Sequence, residues 1–213
     1  MSDTAKNINQ TPEVYHPKEK PEILAMAEEA QQSEKAIEII SYKGVDIERV
    51  LRADVIWTGC VDYAKNNTDE SDISATLKRF QGLVEIAPIC EKINTNWSAS
   101  LSINYNCDDL PCGIMFANET YTDVQDARYD VVTQPGGMWL RVKGDDRHAK
   151  ALLGKETAEL YEFFDALRNA ARETGYIQNP DVHVEVEYHC HAEYNTPPHT
   201  CYAYIPVIKA PGR

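Results

Sequence analysis

His183-Val184-Glu185-Val186-Glu187-Tyr188-His189-Cys190 decides the fold, because the chain carries a counterpart to it. Val184, Val186 and Tyr188 alternate with His183, Glu185 and Glu187, the period-two pattern of a half-buried strand. Eighty-three residues earlier, Leu101, Ile103, Tyr105 and Cys107 alternate with Ser102 and Asn104 in the same way. Trp57 and Trp139 stand 82 apart. Working outward, Val55 to Val61 reads as a strand. Ile73, Leu77, Phe80 and Val84 then fall on one helical face, with Asp69, Glu70 and Asp72 in its first turn. The strand Leu101 to Tyr105 follows, then a loop at Asp108-Asp109-Leu110-Pro111 and a partner strand from Gly113 to Phe116. The second half repeats the order. A strand runs from Met138 to Val142, and a helix carries Leu160, Phe163, Phe164, Leu167 and Ala171 up to Gly175. The strand at Val184 comes next, then a loop at Asn195 to His199 and a last strand from Tyr202 to Val207. Two β-α-β-β units make an α+β fold. The expectation is a mainly antiparallel sheet, helices on one face and a ligand groove between the halves.

The 213 residues include 34 acidic and 21 basic side chains, for a formal charge of −13. Such a surface repels phosphate backbones and anionic lipid, which argues against direct nucleic-acid binding and membrane association. No apolar run reaches 18 residues and the first residues lack an apolar leader segment, so a cytoplasmic location with reduced thiols is expected. Residues 1–35 are read as a polar arm with a short helix opening at Pro21. A strand is expected from Ala36 to Tyr42. The remaining domain is set at 36–209, with halves of about 36–118 and 127–209.

The second half resembles the GyrI-like family, the effector-binding domain of multidrug-responsive transcription activators. The likeness rests on Gln134-Pro135-Gly136-Gly137-Met138-Trp139-Leu140-Arg141-Val142-Lys143-Gly144. It rests also on the helix over Thr157 to Thr174 with Gly175-Tyr176 and Pro180-Asp181, and on the ending Tyr202-Ala203-Tyr204-Ile205-Pro206-Val207-Ile208-Lys209. The resemblance covers residues 127–209 well and 36–118 less closely, and no DNA-binding helix-turn-helix precedes it. It implies a stand-alone duplicated domain whose groove takes lipophilic, often cationic, planar compounds. It also implies that some stand-alone members hydrolyse reactive cyclopropane-bearing natural products. The family often has a Glu-x-Tyr pair on the third strand of this half. Here Tyr188 is one residue from Glu187 and three from Glu185, which on a flat strand is the opposite face.

The candidate ligand-binding residues follow. Glu185 or Glu187 would meet a ligand cation, or act on water if the protein is an enzyme. Trp57 and Trp139 would stack on a flat ligand, and each also fits a core position. Tyr105, Tyr188, Phe116, Tyr202 and Met138 carry the same two readings, Met138 with the adaptability of a thioether. His183, His189, His191 and His199 with Cys190 and Cys201 lack zinc-ligand spacing, so no metal is expected. Cys107 with Cys112, and Cys190 with Cys201, flank equivalent loops and could bridge in an oxidising setting. No phosphate-binding glycine motif occurs, so no nucleotide cofactor is expected. The functional expectation is therefore sequestration or sensing of small hydrophobic aromatic cations. Hydrolysis is the alternative, and association with a larger protein partner is a weaker third reading.

Overall fold

The computed structural model describes residue 34 and residues 36–63, 70–93, 97–105, 110–191 and 198–211. The helix expected at Pro21, most of the N-terminal arm, Cys107 with Asp108 and Asp109 of the first hairpin loop, and Asn195 to Pro197 of the second lie outside the described residues. Among the described residues there are ten strands: β1 (Ala36–Tyr42), β2 (Val45–Arg52), β3 (Val55–Asp62), β4 (Trp97–Ile103), β5 (Gly113–Thr120), β6 (Asp130–Gln134), β7 (Gly137–Lys143), β8 (Tyr176–Gln178), β9 (Val184–His191) and β10 (Pro198–Lys209). The α-helices are α1 (Glu70–Ile86), α2 (Asp146–Leu153) and α3 (Phe163–Glu173), the last entered through a 3-10 turn at Leu160–Glu162. Strands β2, β6 and β8 and helix α2 are additions to the elements expected from sequence. No described helix is long and apolar enough to cross a membrane.

One open sheet runs β1-β2-β7-β10-β9-β4-β5-β3-β6, with β8 added beside β10. Every ladder is antiparallel. The two β-α-β-β units meet at β9 and β4, so the sheet reads β7-β10-β9 on one side of that seam and β5-β3 beyond β4 on the other. Helices α2 and α3 cover Leu140, Val142, Ala203, Ile205 and Val207. Helix α1 covers Cys60 and Phe116. All three described helices thus lie on one face, α+β as the alternation of elements predicts. The stripe on α3 is the expected one, with Phe163, Phe164, Leu167 and Ala171 buried. On α1 the buried stripe is Thr76, Phe80 and Leu83, continued by Ala87 just past its end, a helical face turned slightly from the expected Ile73–Leu77–Phe80–Val84 face.

The registers also shift the internal repeat. With Trp57 equivalent to Trp139, Gly59 corresponds to Arg141. Gly59 pairs with Ala117 and Arg141 with Tyr204. Ala117 pairs in turn with Ala99, and Tyr204 with Val186. Leu101 therefore corresponds to Tyr188 and not to Val184, a displacement of four residues on the third strand. Four is even, so every side chain keeps its face and the amphipathic pattern is unchanged.

The sheet has to curl. Five strands separate β2 from β3 in the ladder, yet only Ala53-Asp54 joins them in the chain. A flat ladder would set them about 29 Å apart. Two linking residues reach about 11 Å. The same conflict holds for β6 and β7, joined by Pro135-Gly136. The two links are pinned together: the Gly136 N–H donates to Asp54 Oδ1 at 2.7 Å. A Cβ on Gly136 would sit 2.7 Å from the Ala53 carbonyl carbon and 2.8 Å from the Arg52 carbonyl oxygen, so only glycine allows the approach. The face opposite the helices becomes the inside of this curl.

Candidate functional site

The inner face is a chamber of aromatic rings. Strand parity sends Trp57 from β3, Trp97 from β4, Trp139 from β7, Tyr188 from β9, and Tyr202 and Tyr204 from β10 into it. The three tryptophans are at most 1% exposed, although none of the described helices lies on this face. Ring centroids lie 5.1 Å apart for Trp97–Tyr188 and 5.8 Å for Trp57–Tyr188. The distance is 6.2 Å for Tyr188–Tyr204, and all three pairs have the tilted packing that ring quadrupoles favour. Trp57 Nε1–H is satisfied by Gln134 Oε1 at 2.9 Å.

A cation sits among these rings, and the chain supplies it. Arg52, the last residue of β2, places Cζ 5.2 Å from the Tyr204 ring, 5.8 Å from Trp57, 5.9 Å from Trp139 and 6.0 Å from Tyr188. Its Nε donates to Glu34 Oε1 at 2.8 Å and its Nη2 to Glu119 Oε2 at 3.3 Å. Tyr188 OH donates to the same Glu119 oxygen at 2.8 Å. Burial works against the guanidinium charge, but Glu34, Glu119 and the tyrosines more than offset it, so Arg52 holds its proton more firmly than a free arginine. Glu34 moves the other way: burial raises its carboxyl above the usual range, only partly opposed by Arg52 and Arg141. Arg141 guards the Tyr202 end. It bonds Glu48 Oε2 at 2.6 Å and Tyr204 OH at 3.3 Å, with Cζ 5.5 Å from the Tyr202 ring. A recess of about 210 Å³ opens there, lined by Asp46, Glu48, Arg141, Arg147, His148 and Tyr202.

Four of the nine sequence-named candidates meet in this chamber: Trp57, Trp139, Tyr188 and Tyr202. The other five do not. Phe116 packs under α1 and Met138 against the α2–α3 core, both on the helix face. Tyr105 lies in the turn two residues after β4 and stacks below the Arg168 guanidinium, whose Cζ is 5.0 Å away. Glu185 and Glu187 alternate with Val184, Val186 and Tyr188, so they project to the helix face as well; no bulge intervenes between Glu185 and Tyr188. Glu185 is fully buried, paired with Arg168 Nη2 and accepting from Gln178 Nε2 at 2.9 Å. Glu187 lies in a polar trough between α1 and α3, with its Oε2 3.8 Å from His189 Nε2. Burial pushes Glu187 up to about 7 and His189 down to about 4. The same trough holds Cys201, whose thiol is 3.6 Å from His189 Nδ1 and is pushed up to about 11 by burial.

The carboxylates that reach the aromatic rings are Glu34 and Glu119, which sequence reasoning missed together with Trp97, Tyr204, Arg52 and Arg141. Tyr204 had a signal, since it shares parity with Tyr202. Arg52 had none, because β2 was not recognised as a strand. The suggested Cys190–Cys201 bridge is also corrected. Cys190 opposes Thr200 and Cys201 opposes His189, so the two thiols point to opposite faces and are not bridged. Among the described residues, no group of three or more His, Cys, Asp or Glu side chains forms a metal-binding set.

No protein-family model matches the chain, and no curated protein matches it by sequence. Solved structures do. A protein from Staphylococcus aureus MU50 with a proposed role in bacterial transcription regulation aligns at a TM-score of 0.48 and 12% identity, over 77% of this chain and 99% of that one. The Vibrio cholerae integron cassette protein VCH_CASS2 aligns at 0.44 and 12%, over 76% and 95%. SAV2435, solved with tetraphenylphosphonium bound, aligns at 0.54 and 13% identity, over 77% of this chain and 94% of that one. At that identity the likeness is one of fold: this chain shares the architecture of SAV2435.

Proposed function

We propose that residues 36–209 form a GyrI-like domain that binds small hydrophobic aromatic molecules in the inner chamber, with lipophilic cations the favoured class. The observation that carries the proposal is the seating of the Arg52 guanidinium. Four rings within 6.0 Å and two carboxylates already hold a delocalised, weakly hydrated cation out of water. A planar or aryl-substituted onium ion asks for the same surroundings. The shared fold with SAV2435, which binds tetraphenylphosphonium, supports the same reading. Sequestration or sensing is the outcome such a site serves.

Hydrolysis of electrophilic natural products is the second reading, and its support lies elsewhere. Glu187, with a pKa near 7 and His189 beside it, has the proton affinity of a general base, but on the helix face.

The experiment is a titration of the protein with tetraphenylphosphonium, followed by quenching of Trp57, Trp97 and Trp139. Saturable binding in the micromolar range, about −8 kcal/mol, is expected. An anionic aromatic dye of similar size should bind more weakly. Equal or tighter binding of the anion removes the cationic preference, and no binding of any aromatic probe removes the proposal.

A further inference from the structure

The seat between the rings and the two carboxylates is taken by Arg52, whose Cζ lies within 6.0 Å of four buried rings. An external cation reaches that seat only when Arg52 leaves it. Most of the wall is backbone-anchored ring, fixed by strand parity and ladder register. Arg52 differs in three respects. It stands at the last position of β2, beside the exposed Ala53-Asp54 link, so its long side chain can turn outward without breaking a ladder. Its Nη1 is buried without a partner among the described residues, so its seat satisfies it only in part. And one of its two carboxylate partners, Glu34, lies outside the sheet and precedes β1.

We propose that Arg52 occupies the seat an external cation takes, and that binding exchanges one cation for the other. This rests on the chamber being the ligand site. It makes Arg52 the residue that determines which cations bind: only those that stack and pair better than a guanidinium displace it. Glu34 and Glu119 are not left as uncompensated buried charges, because the incoming cation replaces the one that leaves. The apparent dissociation constant is then the intrinsic one divided by the fraction of time the seat is vacant.

The test compares the parent with R52M and R52K at pH 8. Tetraphenylphosphonium is the cationic probe and Nile red the neutral one. A guanidinium with two carboxylate partners vacates its seat less than about a tenth of the time, so R52M should bind the phosphonium at least about tenfold more tightly than the parent. R52K keeps a cation in place and should resemble the parent. Nile red affinity should change less than about threefold in either variant, since it does not compete for the carboxylates. A second measurement needs no variant. In the parent, the Arg52 Nε–H resonance should be shifted upfield by the surrounding rings and return to an ordinary arginine position as phosphonium saturates. A parent that refuses the phosphonium while R52M accepts it also supports the exchange. Unchanged or weaker phosphonium binding by R52M, or an Arg52 resonance that stays put at saturation, overturns it while leaving the chamber as the ligand site. Failure of every protein to bind either probe overturns the ligand site itself.

Discussion

Arg168→Met removes the partner of Glu185, and the cost can be worked from the burial of that carboxylate. Glu185 has 1% of its side chain exposed, and Arg168 is its one charged partner among the described residues. Gln178 Nε2, 2.9 Å away, is the donor that would remain. Burial already raises the Glu185 carboxyl above its ordinary value, and Arg168 is the main influence holding it down. Without Arg168 the folded protein faces two options: keep an unpaired buried charge, at about 3–5 kcal/mol, or protonate it. Protonation at pH 7 from an unfolded value near 4.3 costs about 3.7 kcal/mol, at about 1.36 kcal/mol per pH unit. The cheaper route sets the answer, so Arg168→Met should destabilise the protein by about 3–4 kcal/mol at pH 7. The sign with pH follows. In the variant the folded pKa is far above the unfolded one, so this contribution is favourable at low pH and lost as pH rises. At pH 5 the same protonation costs only about 1 kcal/mol, and the deficit against the parent should shrink accordingly. Urea denaturation at pH 7 and pH 5, read by the fluorescence of the three buried tryptophans, gives both numbers. Adding Glu185→Gln should restore most of the loss at pH 7, because an amide needs no counter-charge. A deficit below about 1 kcal/mol at pH 7, or one of equal size at pH 5, refutes the reasoning. The variant, where folded, should bind tetraphenylphosphonium as the parent does, since Glu185 faces away from the chamber.

Glu187→Gln tests the trough: with a folded pKa near 7 against an unfolded value near 4.3, Glu187 costs stability as pH rises, so the variant should gain up to about 3 kcal/mol at pH 8 and little at pH 4.5. His189 should stay neutral by NMR down to about pH 4, well below an exposed imidazole; a midpoint above 6 would contradict its burial. Gly59→Ala places a Cβ 1.9 Å from the Phe116 carbonyl oxygen, which lies in the facing strand, so a loss above about 3 kcal/mol or failure to fold is expected by thermal denaturation. Toward a thiol reagent at neutral pH, exposed Cys90 should react first, ahead of Cys201 with its raised pKa and buried Cys190, and mild oxidation should yield no Cys190–Cys201 peptide on mass spectrometry.

What the sequence alone determined about this protein is local. Alternation at Val184–Tyr188 and Leu101–Ile103 specifies strands and their two faces, because side chains alternate by geometry whatever surrounds them. The stripe Phe163, Phe164, Leu167 and Ala171 specifies a helix with one buried side for the same reason. From these, the two β-α-β-β units and the placement of Trp57, Trp139, Tyr188 and Tyr202 on a shared face are legible. So is the parity that separates Tyr188 from Glu185 and Glu187; it was visible on the strand before any neighbour was known. What only the tertiary structure decided is which of the two faces is enclosed. A strand pattern cannot say that five strands intervene between β2 and β3, and therefore cannot say that a two-residue link curls the open sheet around its aromatic side. The charged members of the chamber come from that bend. Arg52 lies at the end of β2, Glu119 on β5 and Glu34 ahead of β1, remote in sequence and without periodicity to connect them. Only the curl brings one guanidinium within reach of both carboxylates and four rings, since long-range electrostatic pairing follows the path of the backbone and leaves no mark on local pattern.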